Sequence, residues 1–162
     1  WLLVDICESF IVIASFVLGW LYQLNNKYII GLNDVLSDRL KYIAQTMSTY
    51  NIKLWGQYIE EHGNGGSIIA KDNYFFIDNS FVRCMYEYGA IVFVLVIVLI
   101  FMAQKKMLDN EKYIMCLAFF IVTIASFAEH HLLEIAYNPF IFSVFACMSN
   151  NDKVIMEEKR IC

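Results

Sequence analysis

The residues best suited to chemistry stand together in one short stretch, Glu129-His130-His131-Leu-Leu-Glu134. An imidazole accepts a proton near neutral pH, and a carboxylate three or four residues along a helix can orient it. The pattern therefore indicates a general base. Hydrogen bonds to headgroups or to neighbouring helices explain histidines at the edge of an apolar segment equally well. A metal site that uses His130 and Glu134 is a third interpretation, but no HExxH pattern supports it, and we expect neither a metal nor a cofactor.

Arg39 and Arg83 are the only arginines between the first two apolar runs. A guanidinium can grip a phosphate through two parallel hydrogen bonds, and it stays charged in a partly dry site. Both are therefore candidate anion ligands. Each also has an ordinary structural explanation, because Glu87 can pair with Arg83 one helical turn earlier, and Arg39 suits the edge of an amphipathic helix. Taken alone, the residues favour the structural explanation.

Other polar residues have two interpretations each. Asp78-Asn79-Ser80 precedes an apolar run, where such residues commonly cap a helix, and a catalytic role is the less favoured interpretation. Asp5 and Glu8 lie inside the first apolar run. They mark either an ion path or a helix end near water.

The elements that position these residues are predicted to be membrane helices. The chain of 162 residues is 59% apolar and 17% charged, and residues 9–22, 89–103 and 114–128 carry no charge. Such a composition is typical of an all-α integral membrane protein. The net charge of −4 and the lack of a Lys/Arg cluster argue against a nucleic-acid surface. The five cysteines stand singly and predict neither a metal knuckle nor a disulfide framework.

The apolar runs divide the chain into about four transmembrane helices and one large loop. The predicted segments are a transmembrane helix at 1–24, an extracytoplasmic loop at 25–83, transmembrane helices at 84–103 and 113–129 joined by a cytoplasmic loop at 104–112, an outer-face turn with a short terminal membrane helix at 130–148, and a cytoplasmic tail at 149–162. Short basic segments stay inside, and the cations that set this orientation are Lys105, Lys106, Lys112, Lys153, Lys159 and Arg160. The large loop and the histidine cluster then share the outer face.

Within the large loop the sequence predicts one amphipathic helix, from about Asp34 to Tyr50. Asn33, Asp34 or Ser37 is expected to cap its start. We expect this helix to lie along the membrane surface. Its apolar stripe, at helical spacing, consists of Leu36, Leu40, Ile43 and Met47.

Three stretches, taken in order, resemble bacterial polysaccharide polymerases of the Wzy type, in the O-antigen polymerase and ligase group. LNDVLSDRLKYIAQ, followed by LWGQYIE, resembles the family segment in which an arginine after Leu-Ser opens the large external loop. IDNSFVRCMYEYGAIVFVL resembles the Asp-Asn run that leads through Glu-Tyr-Gly into a span. FAEHHLLEIAYNPFIF resembles the terminal His-His and Tyr-Asn-Pro-Phe stretch. The ordered resemblance covers roughly residues 30–145.

The resemblance implies a multi-pass enzyme of the bacterial cytoplasmic membrane that joins oligosaccharide repeat units carried on undecaprenyl diphosphate. One histidine would deprotonate the acceptor hydroxyl, and the arginines would bind the diphosphate leaving group. The implied catalytic residues are Glu129, His130, His131 and Glu134, the diphosphate ligands are Arg39 and Arg83, and the residues that bind sugar or shape the loop are Asp78, Asn79 and Glu87. The implied partners are lipid-linked oligosaccharides, the bilayer, and the flippase and chain-length regulator of the same pathway.

The chain departs from the family pattern at three places. Asp38 precedes the arginine where a small residue is common, Ala90 stands where a second glycine is common, and Arg83 occupies a variable position. Family members have more spans than this chain, so we expect a fragment of a larger polytopic bundle, truncated at its start and inactive on its own.

Three other functions compete with the polymerase. A glycan ligase of the same superfamily would use the same chemistry. A transporter or flippase of lipid-linked sugars would carry charges along its spans, and the central spans are nearly free of them. A structural subunit would use the polar loop to bind a partner.

Overall fold

The computed structural model describes residues 2–62, 74–134 and 136–139, and within them it is all-helical, with no strand. A π-helical turn at Cys84–Tyr88 joins the fourth α-helix to the fifth, and a 3-10 turn at His131–Leu133 follows the sixth. The six α-helices are α1 (Leu2–Gln23), α2 (Lys27–Val35), α3 (Arg39–Thr49), α4 (Ser80–Arg83), α5 (Ala90–Asp109) and α6 (Tyr113–Ala125). The predicted all-α class is confirmed for these residues.

Among the residues that the structure describes, two helices are long and apolar enough to cross a membrane, Val4–Gln23 within α1 and Ala90–Asp109, which is α5. The two helices qualify by their length and their apolar composition. Helix α6 is equally apolar, but its 13 residues fall short of the ~20 that a span requires. The first two predicted spans therefore correspond to helices of sufficient length.

Helices α1, α5 and α6 share an apolar core. The buried residues of this core are Phe81, Cys84, Val96, Ile100, Ala103, Met107, Cys116, Phe119 and Leu132. The opposite face of α1 exposes a stripe of large apolar side chains at helical spacing, which are Ile6, Phe10, Ile13, Val17 and Trp20. An apolar face of this length is typical of a helix that contacts lipid or further helices.

The loop helix is shorter than predicted. The predicted segment from Asp34 to Tyr50 is interrupted at Ser37 and Asp38, whose φ angles are +54° and +66°. Few residues other than glycine adopt such angles, and they cannot continue a right-handed helix. Helix α2 therefore ends at Val35 and α3 begins at Arg39.

The apolar stripe of α3 packs against α1. Leu40 and Ile43 are buried, and a Cβ added at Gly19 of α1 would collide with the side chains of Ile43 and Met47. The stripe therefore has a partner within the fold, and the position of this helix along the bilayer stays a prediction. Packing against α1 removes the stripe from solvent, as the bilayer surface would.

The start of α3 is held by Asn33, one of the predicted capping residues. Its side-chain oxygen accepts a hydrogen bond from the N–H of Lys41 at 3.0 Å, and its amide donates to Oδ1 of Asp38 at 2.8 Å. Asn33 lies in the preceding helix rather than at the cap position itself. It nevertheless satisfies one of the free N–H groups of the first turn.

The second predicted span is broken at Gly89. The prediction placed one helix over 84–103, whereas the structure has the π turn Cys84–Tyr88, then Gly89, and then α5 extending to Asp109. Gly89 has a φ of +98°, and its N–H donates to the carbonyl of Cys84 at 3.0 Å. The long helix therefore begins at Ala90 and continues into the predicted cytoplasmic loop 104–112.

Two glycines allow backbone segments to touch at this break. Gly56 has a φ of +80°, and a Cβ added at Gly89 would collide with the backbones of Gly56 and Leu54. The N–H of Ala90 donates to the carbonyl of Lys53 at 3.0 Å. The loop segment around Gly56 is thereby fixed to the first turn of α5.

Parts of the predicted topology lie outside the described residues. They are the terminal membrane helix beyond residue 139, the cytoplasmic tail at 149–162, and residues 63–73 of the large loop.

Candidate functional site

Arg39 links the large loop to the histidine cluster. It stands at the first position of α3, and its Nη2 donates to Oε1 of Glu129, 90 residues away in the chain, at 3.1 Å. Its Nε lies 3.6 Å from Oδ2 of Asp78. The side chain of Arg39 keeps 30% of its surface exposed. One guanidinium thus holds two carboxylates from different segments and still faces solvent.

The Asp78-Asn79-Ser80 stretch is hydrogen-bonded to the stretch that leads into the histidines. Asn79 caps α4, because its side-chain oxygen accepts the N–H of Val82 at 2.9 Å, which confirms the predicted capping role. Its amide donates to the carbonyl of Phe127 at 2.8 Å and to Oγ of Ser15 in α1 at 3.0 Å. A single buried asparagine therefore joins α1, α4 and the end of α6.

Ser80 completes this connection. Its hydroxyl donates to the carbonyl of Glu129 at 2.5 Å and accepts the N–H of Leu132 at 3.2 Å. Its own N–H donates to the carbonyl of Ser126 at 2.9 Å. The backbone on both sides of His130 and His131 is consequently fixed to the start of α4.

One carboxylate lies against both histidines. Oε1 of Glu134 is 3.3 Å from Nε2 of His130, and Oε2 of Glu134 is 3.2 Å from Nδ1 of His131. The contact at His131 does not meet the geometry of a hydrogen bond. Among the described residues, the Nδ1 atoms of both rings are buried and have no hydrogen-bond partner. The predicted pairing of a carboxylate with the imidazoles is present, and each ring retains a nitrogen that can accept a proton.

Aromatic contacts fix the two rings. The centroids of His130 and His131 are 4.1 Å apart, His131 stacks on Tyr137 at 3.9 Å, and Phe76 meets His130 edge-on at 5.1 Å. Burial lowers the pKa of His130, and the neighbouring His131 and Arg83 lower it further, against an opposing effect of Glu134 and Asp78. A lowered pKa favours the neutral form of the ring, which is the form that a general base requires.

The guanidinium of Arg83 contacts two carboxylates, a backbone carbonyl and an aromatic ring. Its Nη2 donates to both carboxylate oxygens of Glu61 at 2.6 and 2.8 Å. Its Nη1 bonds to Glu87 at 3.3 Å, and its Nε donates to the carbonyl of Ile77 at 3.0 Å. The guanidinium also lies 4.8 Å from the ring centre of Phe76. To bind a diphosphate, Arg83 would first have to give up these partners.

Burial raises the pKa of two further carboxyls in this region. The pKa of Asp78 is raised by burial although Arg39 opposes the shift, and the pKa of Glu87 is raised by burial although Arg83 opposes it. A raised pKa means that protonating the carboxyl requires less free energy than in water. Both groups can lose their negative charge more easily when an anion approaches.

A small cavity opens beside His130. Its volume is about 100 Å³, and its lining includes Ser80, Arg83, Tyr88, His130 and Glu134. The volume admits a few water molecules or a single hydroxyl-bearing group, not a whole sugar ring. The cavity therefore suits the reacting end of an acceptor more than a complete saccharide.

The structure brings together most of the predicted site residues. Ion pairs join Arg39 to Asp78 and Glu129, and ion pairs and a ring contact join His130, His131 and Glu134. Ligand atoms of Glu129 and the two histidines lie within 4.8 Å of one another, which brings the two groups together in one set. Arg83 and Glu87 form a second set that meets the first at the cavity and at Phe76. Asn79 acts as a capping and bridging residue, and its contacts are with backbone and Ser15.

Two residues in the site were not predicted. Glu61 binds Arg83 from 22 positions away, and no sequence periodicity connects the two. Ser80 was considered only as a helix cap, whereas its hydroxyl fixes the backbone at Glu129 and Leu132. Long-range pairs of this kind leave no local signal in a single sequence.

A metal ion fits the cluster by distance but not by charge. Ligand atoms of Glu129, His130 and His131 lie within 4.8 Å of one another. The guanidinium of Arg39 is bonded to the same Glu129 carboxylate, and a cation there opposes the binding of a second cation.

No protein-family model, curated protein sequence or solved structure matches the chain.

Proposed function

We propose that the chain forms the outer-face catalytic region of a membrane glycosyltransferase that polymerises oligosaccharide units carried on undecaprenyl diphosphate. The observation that carries the proposal is the ion pair between Arg39 and Glu129. It brings a partly exposed guanidinium, suited to a diphosphate, to the residue that directly precedes His130, whose imidazole is suited to a hydroxyl. The two groups come from the first and last of the three stretches that resemble Wzy-type polymerases.

The proposed reaction begins with the acceptor hydroxyl. His130 takes its proton, and the oxygen forms a bond to the anomeric carbon of the donor sugar. The bond between that carbon and the diphosphate oxygen breaks, and its electron pair leaves with undecaprenyl diphosphate. The proton on His130 is then released to water or to the leaving group. The reaction balances without metal or nucleotide.

His130 suits the role of base better than His131. It lines the cavity, and its lowered pKa favours the neutral form of the ring. Glu134 faces Nε2 of His130 at 3.3 Å and can stabilise the positive charge that the ring gains with the proton. His131 would then support the base by ring contact and by its own position against Glu134.

Arg39 suits the diphosphate better than Arg83. Its two carboxylate partners are held by a contact of 3.1 Å and one of 3.6 Å, whereas Arg83 has short hydrogen bonds to Glu61 and a backbone carbonyl. The raised pKa of Asp78 lets that carboxyl become neutral when a diphosphate replaces it. Arg83 then has a positioning role for the cavity wall.

The test uses a bacterial strain that lacks the gene encoding this chain and accumulates no long surface polymer. The gene is restored with His130→Ala, His131→Ala or Arg39→Ala, and membrane levels are equalised. His62→Ala and Lys41→Ala serve as matched controls, since His62 is an exposed residue beside the exposed Glu60 and Lys41 is exposed. The surface glycan is then separated on a gel.

We expect His130→Ala and Arg39→Ala to abolish long polymer and to cause single lipid-linked units to accumulate, while both controls restore the ladder. A ladder retained in every variant contradicts the proposal. Loss of finished polymer from its final acceptor, with long lipid-linked chains intact, would instead identify a ligase. Units trapped on the cytoplasmic face would identify a transporter.

A further inference from the structure

The contact between α1 and α5 contains two polar side chains that the proposed reaction does not use. Glu8 of α1 is 1% exposed and Gln104 of α5 is 0% exposed. The side-chain nitrogen of Gln104 donates to Oε1 of Glu8. Both lie in helices long and apolar enough to cross a membrane, where a polar group without a partner carries a high free-energy cost.

The second oxygen of each group is unsatisfied. Oε2 of Glu8 and Oε1 of Gln104 are buried, and neither has a hydrogen-bond partner among the described residues. When Glu8 is ionised, both atoms can only accept. A carboxyl and a primary amide are planar forks of matching size, so the two groups can join through two parallel hydrogen bonds. The second of these bonds requires a proton on one of the two remaining oxygens.

Within the described part of the chain, Oε2 of Glu8 receives no hydrogen bond that would supply that proton. The hydroxyl of Thr123 in α6 lies close to Glu8, and it donates to the carbonyl of Phe119 at 3.0 Å. The titratable groups that face Glu8 are Asp5, one turn earlier in α1, and Cys116 of α6. Asp5 is itself an acceptor with an unpartnered oxygen, so its charge opposes ionisation of Glu8.

We propose that Glu8 binds a proton on Oε2 and donates it to Oε1 of Gln104, so that a neutral carboxyl–amide pair with two hydrogen bonds joins α1 to α5. One proton satisfies both buried oxygens. The ligand of this site is therefore a proton, and the site is independent of the polymerase proposal. It fixes the register of α1, which carries Ser15 to its hydrogen bond with Asn79.

The test compares thermal unfolding of the whole chain, purified in detergent, with three variants. Glu8→Gln is the decisive variant, since a glutamine reproduces the protonated acid and keeps both hydrogen bonds. Glu8→Ala removes the pair, and Gln104→Leu leaves a buried carboxyl without its partner. We expect Glu8→Gln to unfold at the wild-type temperature and the other two to unfold lower by about 5 °C or more.

Infrared spectra give a second measurement that does not depend on stability. The difference between wild type and Glu8→Gln should contain the carbonyl stretch of a protonated carboxylic acid and no carboxylate bands. Carboxylate bands in that difference would overturn the proposal, as would a Glu8→Gln variant as unstable as Glu8→Ala. A wild-type midpoint that rises with added Na⁺ or K⁺, but not in Glu8→Gln, would also overturn it and assign the site to a metal cation.

Discussion

Glu134 is the residue that connects the two histidines, and it offers a test of the proton-transfer step. Its negative charge raises the pKa of His130, against the larger lowering by burial. Replacing it by glutamine removes that charge, so the pKa of His130 falls further. The base then stays neutral to lower pH, although its ring is less well oriented.

We therefore predict that Glu134→Gln lowers the polymerisation rate at neutral pH and moves the acid limb of its pH profile to lower pH. The measurement is the rate of polymer formation by membranes supplied with lipid-linked units across a pH series. Glu60→Gln is the matched control, because the Glu60 side chain is 68% exposed and pairs with His62 outside the site. An acid limb that stays in place would show that His130 does not titrate in the rate-limiting step.

The two arginines differ in how they are held, and this predicts two different phenotypes. Arg83→Gln leaves the half-buried Glu61 without its bidentate partner, so we expect a loss of about 3 kcal/mol in the free energy of unfolding. Arg39→Gln breaks only partly exposed pairs, so we expect a change within about 1 kcal/mol and a rate lowered roughly 100-fold. Thermal midpoints and polymerisation rates separate the two. If Arg83→Gln and Arg39→Gln lowered the free energy of unfolding equally, the proposed difference between the two arginines would be contradicted.

At this scale the sequence predicted the contacts between polar residues that are close in the chain but not those between distant residues. The spacing of Glu134 from His130 and His131 was sufficient to predict their contact, because neighbours in sequence are neighbours in space. The pairing of Arg83 with Glu61, and of Arg39 with Glu129, depends on how distant segments pack. One sequence holds no pattern that reports such distances.

Among the elements, the start of α5 depends on Gly89. Its φ of +98° and its contact with the backbones of Gly56 and Leu54 leave no room for a side chain. We predict that Gly89→Ala lowers the free energy of unfolding by about 2 kcal/mol or more. Gly31 of α2 is the matched control, because a Cβ there meets nothing within 4 Å.

Gly31→Ala should leave stability unchanged or raise it by up to about 1 kcal/mol, since alanine is the better helix former. Urea unfolding of both variants in mild detergent measures the difference. If the two alanine variants were equally stable, the contact between the loop and α5 would not hold in solution.

The apolar runs predicted the long helices well and their ends poorly. A continuous run such as that of α5 admits little besides a helix in an apolar environment. The break at Gly89 is accompanied by backbone contacts with Gly56 and Leu54, whereas the interruption at Ser37 and Asp38 has local hydrogen bonds to Asp34 and Asn33. A glycine or a serine is tolerated in many local structures, so neither position predicted a helix end. The face that α3 presents to α1 likewise followed from packing, which amphipathicity alone does not specify.

For the whole molecule, the proposed function requires that the large loop and the short α5–α6 connection lie on opposite sides of a membrane. We predict that Tyr58→Cys, in a background without native cysteines, reacts with an impermeant maleimide added to intact cells. Asp109→Cys should react only after the membrane is permeabilised. Both positions are exposed, so accessibility within the fold does not limit labelling. Reaction of the two from the same side would exclude this topology.

The π turn at Cys84–Tyr88 directly follows Arg83 and affects the direction of its side chain. A π turn holds one residue more than the α-helical turn it replaces, so the chain on its two sides differs in phase by about 100° from a continuous α-helix. Insertion of a single residue into an ancestral helix would produce this arrangement. Deleting Met85 should convert the π turn into an α-helical turn and rotate Arg83 away from Glu61. The position of the cavity wall is thus encoded by the number of residues in this turn as well as by their identity.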